Sequence, residues 1–292
     1  MASFASSRLP ASVEARVDLK GAYNAEAPFS GLPALTGNVV AVNQRFLGYV
    51  NKEGLSLTVL DRAAPARKSP GTVQRVPWHT GQGIKDFNFN PFAHDQVMTV
   101  SPDGSMKLWS IPEGGCMANE VTNPTRIWKT KDSTALRGFQ WHPSLASLVM
   151  NRSSRKIMLW DLNGDIELVG TPDSIFAGGD ISSTSMSYDG SVIYTQAKDK
   201  KVRVLDLRLS GEQQVVATVQ GHEGIRHSAT THLGNCPYFA TTGHTAKTRQ
   251  LALWDCRKLD AAGTVHSSSV QVVDVDDGAS YGNQLVPLFD GG

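Results

Sequence analysis

Apolar and polar positions alternate in five short runs, and each run closes on Trp or Leu followed by a polar residue. The runs are Leu57-Thr58-Val59-Leu60-Asp61, Met106-Lys107-Leu108-Trp109-Ser110, Ile157-Met158-Leu159-Trp160-Asp161, Val202-Arg203-Val204-Leu205-Asp206 and Leu251-Ala252-Leu253-Trp254-Asp255. The closing residues, Leu60, Trp109, Trp160, Leu205 and Trp254, are spaced 49, 51, 45 and 49 residues apart. Alternation with a period of two buries one face of an extended strand. A unit recurring at this interval is the mark of a propeller blade, in which each sheet covers its apolar face on the next.

Turn signals place the strands within each unit. In the second unit 84–89 alternates, Asn90-Pro91 breaks it, 96–100 follows, Ser101-Pro102-Asp103-Gly104 turns the chain, and 106–109 returns. The third unit predicts strands at 136–141, 148–150 and 157–160, and the fourth at 183–187, 191–195 and 201–205, with Asp189-Gly190 as a hairpin-type turn. The fifth predicts strands at 227–232, 238–242 and 250–254, while the first, 39–61, lacks aromatic anchors. Helical signals are few, so the predicted fold class is all-β.

After Trp254, 270–275 predicts one strand and 284–289 another. The expected division is a loop-like segment at 1–38, with one candidate strand at 13–19, and then blades. These run at about 39–65, 78–115, 128–165, 181–210, 222–258 and, in part, 268–292. That makes five blades and the start of a sixth. A propeller normally closes its ring to protect strand edges. The expectation is therefore an incomplete ring, or one finished by the N-terminus or another chain.

The closing Trp-Asp and the turn residues make these units resemble WD-type repeats, and that resemblance implies a buried chain of polar groups in each blade: a His before the first strand, Ser or Thr on the second, Asp in the tight turn, and Trp on the third. Burying such groups is tolerable only if each is satisfied. In the second unit the set is His79, Thr99, Asp103 and Trp109. Thr195 and Asp199 fit in the fourth, with Leu205 in the Trp place; His222 and Trp254 fit in the fifth, with Thr242 as candidate partner. The third has Trp160, but Thr130 and Ser154 stand where His and Asp are expected. His79, Thr99, Asp103, Trp109, Trp160, Thr195, Asp199, His222 and Trp254 are assigned a structural role.

Composition narrows the function. Lys and Arg number 28 against 27 Asp and Glu, for a net charge of +1, which gives no bulk reason to expect nucleic acid or an anionic membrane as partner. Cys116, Cys236 and Cys256 are too few and too scattered for a disulfide framework or zinc site. No apolar run reaches the roughly 18 residues of a membrane span. Gly278-Ala279-Ser280-Tyr281-Gly282 has the spacing of a nucleophile elbow, but Asn283-Gln284-Leu285-Val286-Pro287 after it does not start the helix that motif needs. His222, His227 and His232 recur every five residues, a spacing that shares neither a helix face nor a strand face. Gly81-Gln82-Gly83 lacks the third glycine of a dinucleotide loop. Asn151-Arg152-Ser153 is a glycosylation sequon read as chance. The sequence therefore assigns no catalytic, cofactor-binding or metal-ligating residue.

Several motifs together resemble the coronin family of WD-repeat proteins. They are Ala41-Val42-Asn43 before Arg45-Phe46, Ile111-Pro112-Glu113, Trp141-His142-Pro143, the run from Lys198 to Asp206, His222-Glu223-Gly224, and the run from Arg249 to Asp255. The resemblance implies a seven-bladed WD-repeat β-propeller, then a unique segment and an oligomerising coiled coil, and the expectation is that these 292 residues stop short of that tail. It implies binding to filamentous actin and to the actin-branching complex, in the cytoplasm at the cell cortex, without catalysis. At 27–30 this chain reads Ala-Pro-Phe-Ser where the family usually carries basic residues. The alternative is a WD-repeat adaptor that assembles other proteins without actin.

The cations named as candidate actin or partner contacts are Lys198, Lys200, Lys201 and Arg203, with alternation placing Lys201 and Arg203 on one face opposite Val202 and Val204. Arg152, Arg155 and Lys156 form a second candidate cluster, and Lys247 and Arg249 a third. A cationic face suits an acidic surface and mainly sets encounter rate and specificity.

Overall fold

The computed structural model describes residues 37–38, 40–50, 57–61, 78–79, 83–113, 115–116, 123–224, 228–245, 248–259 and 265–276. They form five four-stranded antiparallel sheets. The first holds β1 (Val40–Val42), β2 (Phe46–Val50), β3 (Leu57–Asp61) and, out of chain order, β7 (Gly115–Cys116). The second holds β4 (Asp86–Asn90), β5 (Ala93–Val100), β6 (Ser105–Ser110) and β8 (Arg126–Lys129). The third runs through β9 (Gly138–Trp141), β10 (Leu148–Arg152), β11 (Ile157–Asp161) and β12 (Ile166–Gly170). The fourth runs through β13 (Ile181–Met186), β14 (Ile193–Ala197), β15 (Lys201–Leu205) and β16 (Val215–Gln220). The fifth runs through β17 (Thr230–His232), β18 (Tyr238–His244), β19 (Arg249–Asp255) and β20 (Gln271–Asp276), with one helical turn, α1 (Val265–Ser268), before β20.

Sheet packs on sheet in sequence order. Phe46, Val50 and Val59 of the first meet Phe87, Phe89, Val97 and Trp109 of the second. Met98, Met106 and Trp128 meet Phe139, Trp141 and Val149; Met150 and Ile157 meet Ile193, Ala197 and Leu205; Tyr194, Val202 and Val204 meet Phe239, Ala252 and Trp254. Aromatic rings span the last seam, with Tyr194 stacked on Phe239 at 4.3 Å between centroids. A blade in mid-ring is thus covered on both faces, and all five residues of β14 are buried.

Hydrogen bonds tie each blade to the next. Asp86 Oδ1 accepts the backbone N–H of Asn38 at 2.7 Å, and its Oδ2 that of Phe139 at 3.1 Å, so one carboxylate spans three consecutive units. Gln140 Oε1 accepts from Met186 N at 3.0 Å, and Ser185 Oγ from His232 N at 3.0 Å.

The strand at 270–275 was expected to open a sixth blade. It is β20, and it pairs along β19 as the outer strand of the fifth sheet. Outer strands β8, β12 and β16 extend or lie between the expected blade limits, and Trp128, expected in the third unit, belongs to β8 of the second. The candidate strands at 13–19 and 284–289, with the motifs at 27–30 and 278–282, lie outside the described residues.

Candidate functional site

The polar chain of the second blade is closed at every link. Trp109 Nε1 donates to Thr99 Oγ1 at 2.9 Å, and Thr99 Oγ1 lies 2.8 Å from His79 Nε2. His79 Nδ1 lies 3.2 Å from Ser105 Oγ, which donates to Asp103 Oδ1 at 2.5 Å; Asp103 and His79 are 3.8 Å apart. One direction satisfies all four links: Trp109 to Thr99, Thr99 to His79 Nε2, His79 Nδ1–H to Ser105, Ser105 to Asp103. It requires a neutral imidazole. Burial first, and then the charge of Lys107, push the His79 pKa down to about 4. Ser105 is the member the sequence reading missed; it sits two residues past the turn aspartate.

The fifth blade repeats the scheme with different ends. Trp254 Nε1 donates to Thr241 Oγ1 at 2.8 Å, and His222 Nε2 lies 2.9 Å from the same oxygen. Thr242, the expected partner, is one residue off and so faces the other side of β18, where its Oγ1 accepts from Ala229 N at 2.8 Å. In the place of Ser105, four residues before the tryptophan, Gln250 Oε1 faces His222 Nδ1 at 3.4 Å. The third blade has no such chain: Trp160 Nε1 is buried without a partner, and Asn151 occupies the place of Thr99 and donates to Met106 Sδ at 2.8 Å. We therefore expect Trp109→Phe to cost about 2 kcal/mol more than Trp160→Phe in urea unfolding, because only the first leaves a buried hydroxyl short of a donor.

The fourth blade replaces the chain by an ion pair. Thr195 Oγ1 donates to the Arg203 carbonyl at 3.4 Å. Arg203 donates to both carboxylate oxygens of Asp199 through its two terminal guanidinium nitrogens and lies 5.3 Å from the Phe176 ring centroid. Its side chain is 8% exposed, so the expected exposed cationic face at Arg203 is corrected. The alternation argument assumed one solvated face, whereas both faces of this blade are covered. Arg152 is corrected for the same reason: it is buried, lies over Gly138, and faces Asp86.

Of the remaining cations, Arg155 and Lys198 converge. Arg155, on the turn joining β10 to β11, and Lys198, on the turn joining β14 to β15, both approach Asp180: Arg155 Nε at 3.8 Å and Lys198 Nζ at 3.2 Å. Lys200 and Lys201 stand exposed beside Lys198, with Lys200 held at φ 65 in the left-handed region. Lys156 pairs with Glu167 at 2.8 Å. Two clusters far apart in sequence thus form one cationic patch across the seam of the third and fourth blades. Lys247 and His227 lie outside the described residues, Arg249 is half-buried in β19, and His232 is buried and stacked on Tyr194.

The comparisons with known proteins agree with this architecture. Over 257 residues, 86% of the chain, it is 29% identical to Coronin-2A of Homo sapiens, and the match covers 45% of that protein. Over 192 residues, 64% of the chain, it is 32% identical to the Coronin-like protein crn1 of Schizosaccharomyces pombe, covering 30% of it. The crystal structure of the WD40 domain from Toxoplasma gondii coronin superimposes with a TM-score of 0.72 at 22% identity, over 88% of this chain and 63% of that one. The chain belongs to the coronin family. This coronin-family chain spans less than half the length of the curated relatives it matches. No protein-family model matches it. Among its described residues no helix is long and apolar enough to cross a membrane.

Proposed function

We propose that this coronin-family chain binds actin filaments through the cationic seam of its third and fourth blades, and acts as a rigid platform rather than an enzyme. The observation that carries the reading is the convergence of Arg155 and Lys198 on Asp180, with Lys200 and Lys201 exposed alongside. Four cations on two stiff turns present charge without the ordering cost of a flexible loop. An acidic filament surface is complementary to them, and the attraction is screened as salt rises. On this reading the chain works in the cytoplasm at the actin cortex, and the actin-branching complex is a further partner.

Cosedimentation with actin filaments tests it. The chain should pellet at low salt and less at moderate salt, and the combined change Lys198→Glu, Lys200→Glu, Lys201→Glu should weaken pelleting at least tenfold. No pelleting at either salt would overturn the proposal. The second reading, an adaptor for other proteins, has its own observation. Turns at the opposite end of the blades expose Phe92, Leu145 and Tyr188, the kind of apolar display that marks protein contacts. Capture of non-cytoskeletal proteins that is lost on changing these three residues would favour it.

A further inference from the structure

The turn joining β10 to β11 carries a hydroxyl that the blade does not use. Ser153 is buried, and its Oγ accepts the backbone N–H of Arg155 at 3.3 Å and of Lys156 at 3.0 Å. Ser154 is half-buried, and its hydroxyl has no partner among the described residues. Its carbonyl accepts the N–H of Ile181 at 2.7 Å, which fixes it next to Asp180, the carboxylate between Arg155 and Lys198. A free serine hydroxyl is therefore set at the centre of the cationic seam, with Arg155 and Lys156 directly after it in sequence.

We propose that Ser154 is a phosphoacceptor for a Ser/Thr kinase that reads basic residues after its target, and that phosphate at this position closes the seam to acidic partners. The link to actin rests on the reading given above; the modification does not. In the transfer Ser154 Oγ bonds to the γ-phosphorus of ATP, the bond from that phosphorus to the bridging oxygen of ADP breaks, the hydroxyl proton passes to the kinase's base, and ADP leaves. The product carries about −1.5 to −2 charges at pH 7 and three strong acceptor oxygens. Arg155, Lys156, Lys198, Lys200 and Lys201 stand against Asp180 and Glu167, which leaves a net local charge of +3. Phosphate lowers that to about +1 and competes with Asp180 for Arg155 and Lys198 through charge-assisted hydrogen bonds.

The test uses the intact chain, a basophilic Ser/Thr kinase and MgATP, with mass spectrometry to place the phosphate. Phosphate is expected on Ser154 and not on Ser153, with that site lost in Ser154→Ala. The phosphorylated chain, and Ser154→Glu to a lesser degree, should elute from heparin at lower salt than the unmodified chain and pellet with actin at least fivefold more weakly. Absence of phosphate from Ser154, or an unchanged heparin elution once Ser154 is phosphorylated, would overturn the proposal. Should the unmodified chain not pellet while its heparin elution still shifts on phosphorylation, the actin reading falls and the Ser154 site stands.

Discussion

Asp86→Ala is expected to lower the unfolding free energy by about 3 kcal/mol, the scale for leaving buried backbone N–H groups without their acceptor. The substitution strands the N–H groups of Asn38 and Phe139 and removes the charge facing the buried Arg152. It also cuts the ties between three consecutive units, so the loss should appear as a lower urea midpoint for the whole cooperative transition. A cost below about 1 kcal/mol, the level of an ordinary surface change, would contradict this role. Burial pushes the Asp86 carboxyl up to about 6, against the opposing hydrogen bonds of Asn38 and Phe139 and the charge of Arg152. Its folded form therefore holds a proton between about pH 4 and 6 that the unfolded chain has released. The stability from this group is highest at low pH and falls as pH rises through that window.

His79 works in the opposite direction. Its pKa falls from 6.5 to about 4 on folding, so between those values the unfolded chain binds the extra proton, and stability drops as pH falls through the window. The full shift corresponds to about 3 kcal/mol. The geometry gives the reason: a protonated ring donates from both nitrogens, Thr99 then receives hydrogens from His79 and Trp109 together, and its own hydrogen loses its acceptor. Two variants separate the effects. His79→Gln should flatten the decline in stability between pH 7.5 and 5, whereas Asp86→Asn should steepen it. Urea unfolding at the two pH values reads both signs, and variants that moved the slope in the same direction would refute the assignment.

Blade strands were legible where alternation met a fixed closing residue, as in β6, β11, β15 and β19, because there one pattern reports both the pleat and the repeat. Outer strands were not. Ile127 of β8, Ile166 and Leu168 of β12, and Val216 of β16 are all exposed, so on the rim apolar residues do not mark the buried face. The position of Arg203 was misjudged for the converse reason, and Arg152, named only as part of a sequence cluster, lies in the same setting. In a stack of sheets both faces of a middle strand are interior, and alternation no longer tells buried from exposed. The convergence of Arg155 and Lys198 on Asp180 and the reach of Asp86 across three units depend on how blades pack, which local pattern does not encode. Ser105 and Gln250 stand in for or extend the expected polar chain, and only the hydrogen-bond geometry reveals them.

Zero-length carbodiimide cross-linking of the chain to actin filaments, read by mass spectrometry, addresses the docking claim most directly, because it joins lysines only to carboxylates in contact. Cross-links from Lys198, Lys200 and Lys201 to actin acidic residues, suppressed as salt rises, are the predicted result. Cross-links confined to lysines on other blades, with these three unmodified, would contradict the account.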